Sequence, residues 1–439
     1  MKITHPSGNM YKTTLHILFT DVTGVHRRVS VSISGKPEIL EGIMVGVDGS
    51  SIPGYSSIEE SDLYVKPASS KIIDLSRLNK GYWVPGKIVM HDGREHPWDP
   101  RLIAGKLADE LHNEGYISRV GCELEFYVVK NVEYMLGREK QYLLVRNIGR
   151  NSIEKLGRSH YASNVSLTME EPFTELINVL NGNAVTVSKI HRENGFSSQY
   201  EISLAPSSLV GLGDDILLAI ASTREVMRSY GLTSVFLPKP FMDDYGSGLH
   251  IHVSLWSGDR NLFFDGSELS NIGRYFIGGI LEHAESLTAF TNPSTNSYKR
   301  LIEGFEAPVY VSWGIGNRST MVRIPLNGGR IEIRTPDASM NPYLGLSAII
   351  LAGLDGVKRK IDPGDPISYN VYEKQEGKLR RLPRSLEEAV EYLISDNEYL
   401  RPIFPGDLLE YYVEIKLREA RRIRSIPGIV DYITLEYLA

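Results

Sequence analysis

Residues 120–129 read VGCELEFYVV. Apolar Cys122, Leu124 and Phe126 alternate with Glu123 and Glu125, so a strand here sets both carboxylates on one face and the apolar side chains on the other. Neighbouring carboxylates repel unless a cation or a proton comes between them. Hard oxygen donors of this kind suit magnesium or manganese; an exposed strand face is the competing account of the pair.

The same spacing recurs along the chain. In SKIHRENGFSSQYEISL, 188–204, His191 and Glu193 precede a turn at Asn194-Gly195, and Gln199 and Glu201 follow it. In GSGLHIHVSLW, 246–256, His250 and His252 alternate with Leu249, Ile251 and Val253, and either imidazole can ligate a metal or meet a phosphate. In RIEIR, 330–334, Arg330, Glu332 and Arg334 alternate with Ile331 and Ile333. One antiparallel sheet, curved, with these polar groups on its concave face and helices such as 213–230 and 341–358 on the other, would gather all of them. The fold class is α+β. Residues 298–334 carry five arginines, Arg300, Arg318, Arg323, Arg330 and Arg334, with Glu306 and Glu332 among them. The guanidinium fork matches carboxylate and phosphate oxygens, so this stretch reads as an anion site.

Before the first carboxylate strand, 12–20 and 26–33 read as a hairpin, 44–58 as a Gly/Ser-rich loop and 63–90 as further short strands. On residue type alone, Asp48 is a turn former beside Gly49. The turn-rich HDGREHPWDP, 91–100, is the domain boundary, giving units 1–98 and 99–439, and Asp99-Pro100 opens a helix that ends near Gly115. Residues 386–395 and 406–424 are helical and charged, with Pro402, Pro405 and Pro427 as breaks.

With 439 residues there is ample chain for two domains. A net charge of −6 argues against a general nucleic-acid binder. Cys122 is the only cysteine, so neither an intrachain disulfide nor a cysteine zinc cluster is available, which suits a reducing cytoplasm. The opening MKITHPSGNMYKTTLHILF lacks the order of a secretory signal, and the apolar run near 344–354 is too short for a bilayer span. No GxxxxGK[ST] phosphate loop occurs.

Nearly the whole chain resembles glutamine synthetase of the bacterial and archaeal type I. The resemblance rests on DGSSI (48–52), GCELEF (121–126), HRENGFSSQYE (191–201) and KPFMDDYGSGLHIHVS (239–254). It continues through NPSTNSYKRLIEGFEAP (292–308), NRSTMVRIP (317–325) and RIEIRTPD (330–337). It implies an N-terminal β-grasp domain and a C-terminal catalytic domain. It implies two or more Mg2+ or Mn2+ ions per site, one held by Glu125, Glu193 and Glu201 and another by Glu123, His250 and Glu332, with ATP as co-substrate. Arg300 and the Gly246 backbone would bind glutamate, and Arg334 would meet its γ-carboxylate. Arg318, Arg323 and Arg330 would hold phosphates, with His252 and Ser254 by the nucleotide. Asp48 would help to remove a proton from ammonium, with Ser51 and Tyr161 completing the ammonium pocket, and Glu306 on a flap would close the site against water and take a second proton. In this family the Asp48 loop serves the neighbouring subunit, so a homododecamer of two stacked hexameric rings is implied.

The expected reaction joins ammonia to the γ-carboxylate of glutamate through γ-glutamyl phosphate. A γ-glutamyl-amine ligase using a polyamine or monoamine is the alternative, and a silent regulatory paralogue a second. Four positions depart from the family pattern: Tyr245 stands where Asn is usual, Glu303 where Pro is usual, Ser188 where Glu is usual and Ser198 where Gly is usual. KLRRLP, 378–383, has Arg380 where adenylylated members carry Tyr, so adenylylation is not expected.

Overall fold

The computed structural model describes residues 12–37, 40–136, 141–146, 148, 160–161, 169–183, 185–195, 198–373 and 379–425. The first eleven residues, Phe196-Ser197, the remainder of the SHYASN segment beyond His160-Tyr161, Lys378 and Pro427 lie outside them.

The N-terminal sheet has six strands: β1 (Lys12–Thr20), β2 (His26–Ser34), β3 (Val45–Asp48), β4 (Asp62–Pro67), β5 (Ile73–Asp74) and β6 (Tyr82–Val89). Its order is β2-β1-β6-β4-β3, with β1 parallel to β6 and β5 paired to β6 from the side. The hairpin β1–β2 forms as expected, because Asp21 organises its turn. The Asp21 carboxylate accepts from the Thr23 amide and hydroxyl, from the Val25 amide and from Arg27, and it is fully buried. The 44–58 segment is not all loop. Val45–Asp48 pairs with Asp62–Val65, since Val45 and Val47 offer one apolar face despite the surrounding Gly and Ser.

The second sheet contains β7 (Ile117–Val129), β10 (Val187–Arg192), β11 (Gln199–Ser207), β12 (Thr233–Val235), β13 (Leu249–Ser257) and β14 (Arg260–Asn261). It ends with β17 (Trp313–Ile315), β18 (Val322–Ile324) and β19 (Ile331–Ile333). Two small ribbons stand outside it, β8 (Asn131–Leu136) with β9 (Gln141–Arg146), and β15 (Phe264–Asp265) with β16 (Glu268–Leu269). The main path runs β10-β11-β7-β13-β19-β18-β17 and is antiparallel except at its far edge, where β17 and β18 are parallel. That exception was not visible in the sequence, because the two three-residue strands are joined by a connection that crosses back. The RIEIR strand is also shorter than expected: Ile331–Ile333 pairs, and Arg330 and Arg334 flank it.

Alternation decides the orientation of this sheet. Leu124, Ile202, Ile251 and Ile333 are fully buried on the helix side. Each is worth about 1.5–3 kcal/mol of burial. A one-residue slip would expose all four and drive carboxylates into the core, so the register is strongly fixed.

Nine helices are described: α1 (Pro100–Asn113), α2 (Glu170–Asn181), α3 (Leu209–Ser229), α4 (Asn271–Glu282), α5 (Ala284–Thr291), α6 (Ser297–Arg300), α7 (Pro342–Arg359), α8 (Leu386–Ser395) and α9 (Gly406–Ser425). α1 and α3 pack on β7, and α7 packs behind them and against α4 and α5. Asp99 caps α1 by accepting from the Leu102 amide, so the expected helix starts where Asp99-Pro100 sets it. Among the described residues no helix is long and apolar enough to cross a membrane.

The two sheets meet at a seam. Asn341 caps α7 by accepting from the Tyr343 and Leu344 amides, and its side-chain amide donates to the Asp21 carbonyl at 2.8 Å. Gly24, at φ +95°, lies so close that a Cβ would sit 3.0 Å from the Ser339 carbonyl oxygen. Lys416, fully buried, donates to the Thr23 carbonyl and pairs with Glu419 at 3.0 Å.

Candidate active site

Strand pairing brings the alternating polar residues together. β13 lies between β7 and β19, with His250 opposite Glu123 and His252 opposite Glu332. His250 Nδ1 is 3.3 Å from Glu123 Oε2, and His252 Nε2 is 3.3 Å from Glu123 Oε1. Burial opposes a charge on Glu123, but the two imidazoles outweigh it and hold the carboxyl far below its usual range. On the other side, β11 pairs with β7 so that Glu201 stands opposite Glu125, and His191 on β10 stands opposite Glu201.

These strands line one cavity of about 970 Å3, whose wall includes Glu123, Glu125, Glu193, Glu201, His250 and Tyr161 on one side. Arg300, Arg318, Arg334 and Glu306 come from the segment that follows α5. Arg300 is buried and donates to the Thr335 and Arg334 carbonyls at 2.6 and 3.0 Å. Gly246 makes room for it: a Cβ there would sit 2.6 Å from Arg300 Cγ and 2.8 Å from the Pro238 carbonyl oxygen. Arg334, also buried, donates to the Arg318, Thr320 and Glu306 carbonyls, and its Nε is 3.5 Å from Glu332 Oε1. Glu306 has φ +63°, a left-handed backbone that costs a side-chain-bearing residue about 1–2 kcal/mol. Tyr372, whose hydroxyl donates to the Glu306 and Ala307 carbonyls, and Asn194, which donates to the Glu306 carboxylate at 3.2 Å, hold it there.

The donor chemistry fits divalent cations. Ligand atoms of Glu123, His250 and Glu332 lie within 4.8 Å of one another. Glu332 is fully buried, with one oxygen taken by Arg323 and the other, Oε1, accepting no hydrogen bond. With Arg334 Nε no nearer than 3.5 Å, this buried oxygen keeps its lone pairs available to a metal ion. The second expected set is arranged differently. Glu125, Glu193 and Glu201 do not close to the same spacing. Their charges repel, and Glu201 turns to Lys189 at 3.0 Å and His191 at 3.2 Å, while Glu125 accepts from the Gly248 amide at 2.7 Å. Burial and the charges of Glu125 and Glu201 push Glu193 up to about 9. Glu193 instead groups with His160 and His191. His160 was not singled out from the sequence; its place beside Tyr161 was the only available signal.

The remaining residues fall in two places. His252, Ser254, Arg323 and Arg330 follow the sheet away from the cavity wall. Arg330 Nε donates to His252 Nδ1 at 3.2 Å, Arg323 pairs with Glu332, and Ser254 accepts from Trp256 Nε1 at 2.9 Å. Asp48 and Ser51 are not part of this cavity. They sit exposed at the end of β3, where hydrogen bonds from Ser50 and Ser51 hold the Asp48 carboxyl below its usual range. Of the four departures, Tyr245 lines the cavity with its ring edge-on to Phe305. Ser198 has φ +68°, a left-handed backbone that glycine adopts without steric cost. Glu303 pairs with Arg381 at 2.8 Å, and Ser188 donates to the Ser203 carbonyl.

Two family models match the two sheets and the helices that back the second of them. These are the glutamine synthetase beta-grasp domain, over residues 12–87, and the glutamine synthetase catalytic domain, over residues 97–432. The chain belongs to the glutamine synthetase family. It is 37% identical to glutamine synthetase of Sulfolobus acidocaldarius, with 93% of this chain and 92% of that one covered. It is 34% identical to a 3-hydroxylaminophenol mutase of Cupriavidus pinatubonensis, with 94% of each covered, so relatives at this distance carry other names. The cryo-EM structure of Plasmodium falciparum glutamine synthetase is similar with a TM-score of 0.83 at 26% identity, covering 96% of this chain and 95% of that one.

Proposed function

We propose that this chain is a glutamate–ammonia ligase that uses ATP to form γ-glutamyl phosphate and then glutamine. The observation that carries the reading is the meeting of Glu123, His250 and Glu332 donor atoms beside a cavity walled by Arg300, Arg318 and Arg334. When bound, Mg2+ or Mn2+ at the carboxylate–imidazole sets would neutralise phosphate and carboxylate oxygens. Arg300 spends two of its five N–H groups on backbone carbonyls, leaving others for the glutamate α-carboxylate. Arg334, fixed by three carbonyls, faces the charge that develops on the γ-carboxylate, and rigid placement of this kind is the larger part of such catalysis. Arg318 takes the transferred phosphoryl group, and Arg323, Arg330, His252 and Ser254 serve the nucleotide side.

Ammonium is no nucleophile until it loses a proton. Tyr161 and Glu306 stand at the cavity, and Glu306 would close it against water, which otherwise hydrolyses an acyl phosphate. Asp48 and Ser51, exposed on the N-terminal sheet, would serve the cavity of an adjoining copy in a ring-shaped homo-oligomer. The alternative acceptor is a larger amine, favoured by Tyr245 in the cavity wall. ADP release with glutamate plus ammonia, against glutamate plus a panel of monoamines and polyamines, decides between them. Preference for ammonia is expected, and a clear preference for any amine overturns the assignment.

A further inference from the structure

His160 and His191 take no part in the proposed ligation, yet they form a donor set with Glu193 at one end of the same cavity. His160 Nε2 is 3.5 Å and His191 Nδ1 is 3.4 Å from Glu193 Oε1. Both separations exceed an ordinary N–H···O bond. Two donors on one tetrahedral ion at about 2.05 Å stand roughly 3.3 Å apart, so the spacing is close to that of atoms sharing a metal.

The orientation of the rings points the same way. His160 Nε2 is buried without a hydrogen-bond partner, and the ring is held flat against Tyr161, with centroids 4.0 Å apart. His191 Nε2 lies 3.2 Å from Glu201 Oε1. A neutral imidazole has one N–H. His191 Nδ1 faces Glu193 and also lies 3.0 Å from the Arg192 carbonyl oxygen. A carboxylate behind a ligating histidine is also the usual support for a metal site.

Two imidazoles and one carboxylate select zinc, cobalt, nickel or copper over magnesium, whereas Glu123, His250 and Glu332, richer in oxygen, suit the harder ion. We propose that His160, His191 and Glu193 form a transition-metal site, and that an ion held there lowers ligation by withdrawing Glu193 from the magnesium set. The binding half stands on geometry alone; the inhibitory half rests on the proposed ligase.

The test titrates chelator-stripped, full-length protein with Co2+ in saturating Mg2+, read by equilibrium dialysis and by the visible bands that are intense for four-coordinate and weak for octahedral cobalt. One Co2+ per chain with intense bands, displaced by Zn2+, is expected. His160→Ala should weaken binding by roughly tenfold or more and abolish the bands, while His250→Ala leaves them. In ligase assays with Mg2+, His160→Ala should remain active and need at least about tenfold more Zn2+ for half-inhibition, matching its lost affinity. Weak octahedral bands, or identical binding by His160→Ala and parent, sink the site. Tight binding with no effect of Zn2+ on ligation sinks the inhibitory half. If no amine supports ATP turnover, the ligase reading fails while the cobalt titration still decides the site.

Discussion

Replacing Glu332 by Gln separates cation binding from fold stability. The side chain keeps its shape and still accepts from Arg323, but without cations a neutral amide leaves the Arg323 and Arg334 guanidinium groups without their buried counter-charge, a cost of about 3–5 kcal/mol that is the same with and without Mn2+. For cation binding it removes one of three converging donors. With Mn2+ at a hundred times its dissociation constant, binding stabilises the native chain by about 2.7 kcal/mol. Taking the loss of affinity as roughly a hundredfold, the same Mn2+ stabilises the variant by only about 0.4 kcal/mol. The difference, about 2.3 kcal/mol, spread over the unfolding entropy of 439 residues, is a shift in Tm of roughly 2–3 °C. Differential scanning fluorimetry with a chelator and then with Mn2+ measures it. The parent should gain those degrees and Glu332→Gln should gain almost none; equal gains would refute the assignment of Glu332 as a ligand.

Three further outcomes are expected. Asp48→Asn and Glu306→Gln should each abolish glutamine formation alone, and co-assembled in equal amounts should regain roughly one quarter of it, because random pairing leaves that share of intersubunit sites intact; no recovery on mixing means that Asp48 does not serve a neighbour. Ser198→Gly should raise stability by about 0.5–1 kcal/mol, since a left-handed serine costs more than the extra chain entropy of glycine, and a lower Tm would contradict this. Burial opposes the charge on His283, but Asp396 and Asp355, one on each ring nitrogen, outweigh it and raise its pKa. A raised folded-state pKa gives stability that is complete below about pH 6.5 and is lost as pH rises through the folded value. Denaturation measured across that range should show the loss, and His283→Gln should remove it.

Alternation was readable from the sequence, and it identified each polar face: Glu123 with Glu125, His250 with His252, and Glu332 between isoleucines. Which strand lies beside which was not readable by the same means. The pairing of His250 with Glu123, and of His252 with Glu332, joins residues more than seventy positions apart, and local periodicity carries no information on such partners. The motif resemblance supplied that order. Val45–Asp48 was hidden because Gly and Ser on both sides gave a loop's composition to a strand that only its partner Asp62–Val65 stabilises. His160 was missed because one histidine beside one tyrosine has no period at all; only folding brings it to Glu193.

The Asn341 amide and the Lys416 ammonium grip the first hairpin from two helices that lie hundreds of residues downstream. The amino-terminal sheet is therefore not a cassette. A chimaera that grafts it from a relative must keep the close approach at Gly24 and the Asp21 and Thr23 carbonyls in place, or the Asn341 amide loses its acceptor and the buried Lys416 ammonium is left with Glu419 alone. The same grip ties the bearing of the Asp48 loop to the frame of α7, so the direction in which that loop faces is set by the body of the chain rather than by the loop itself.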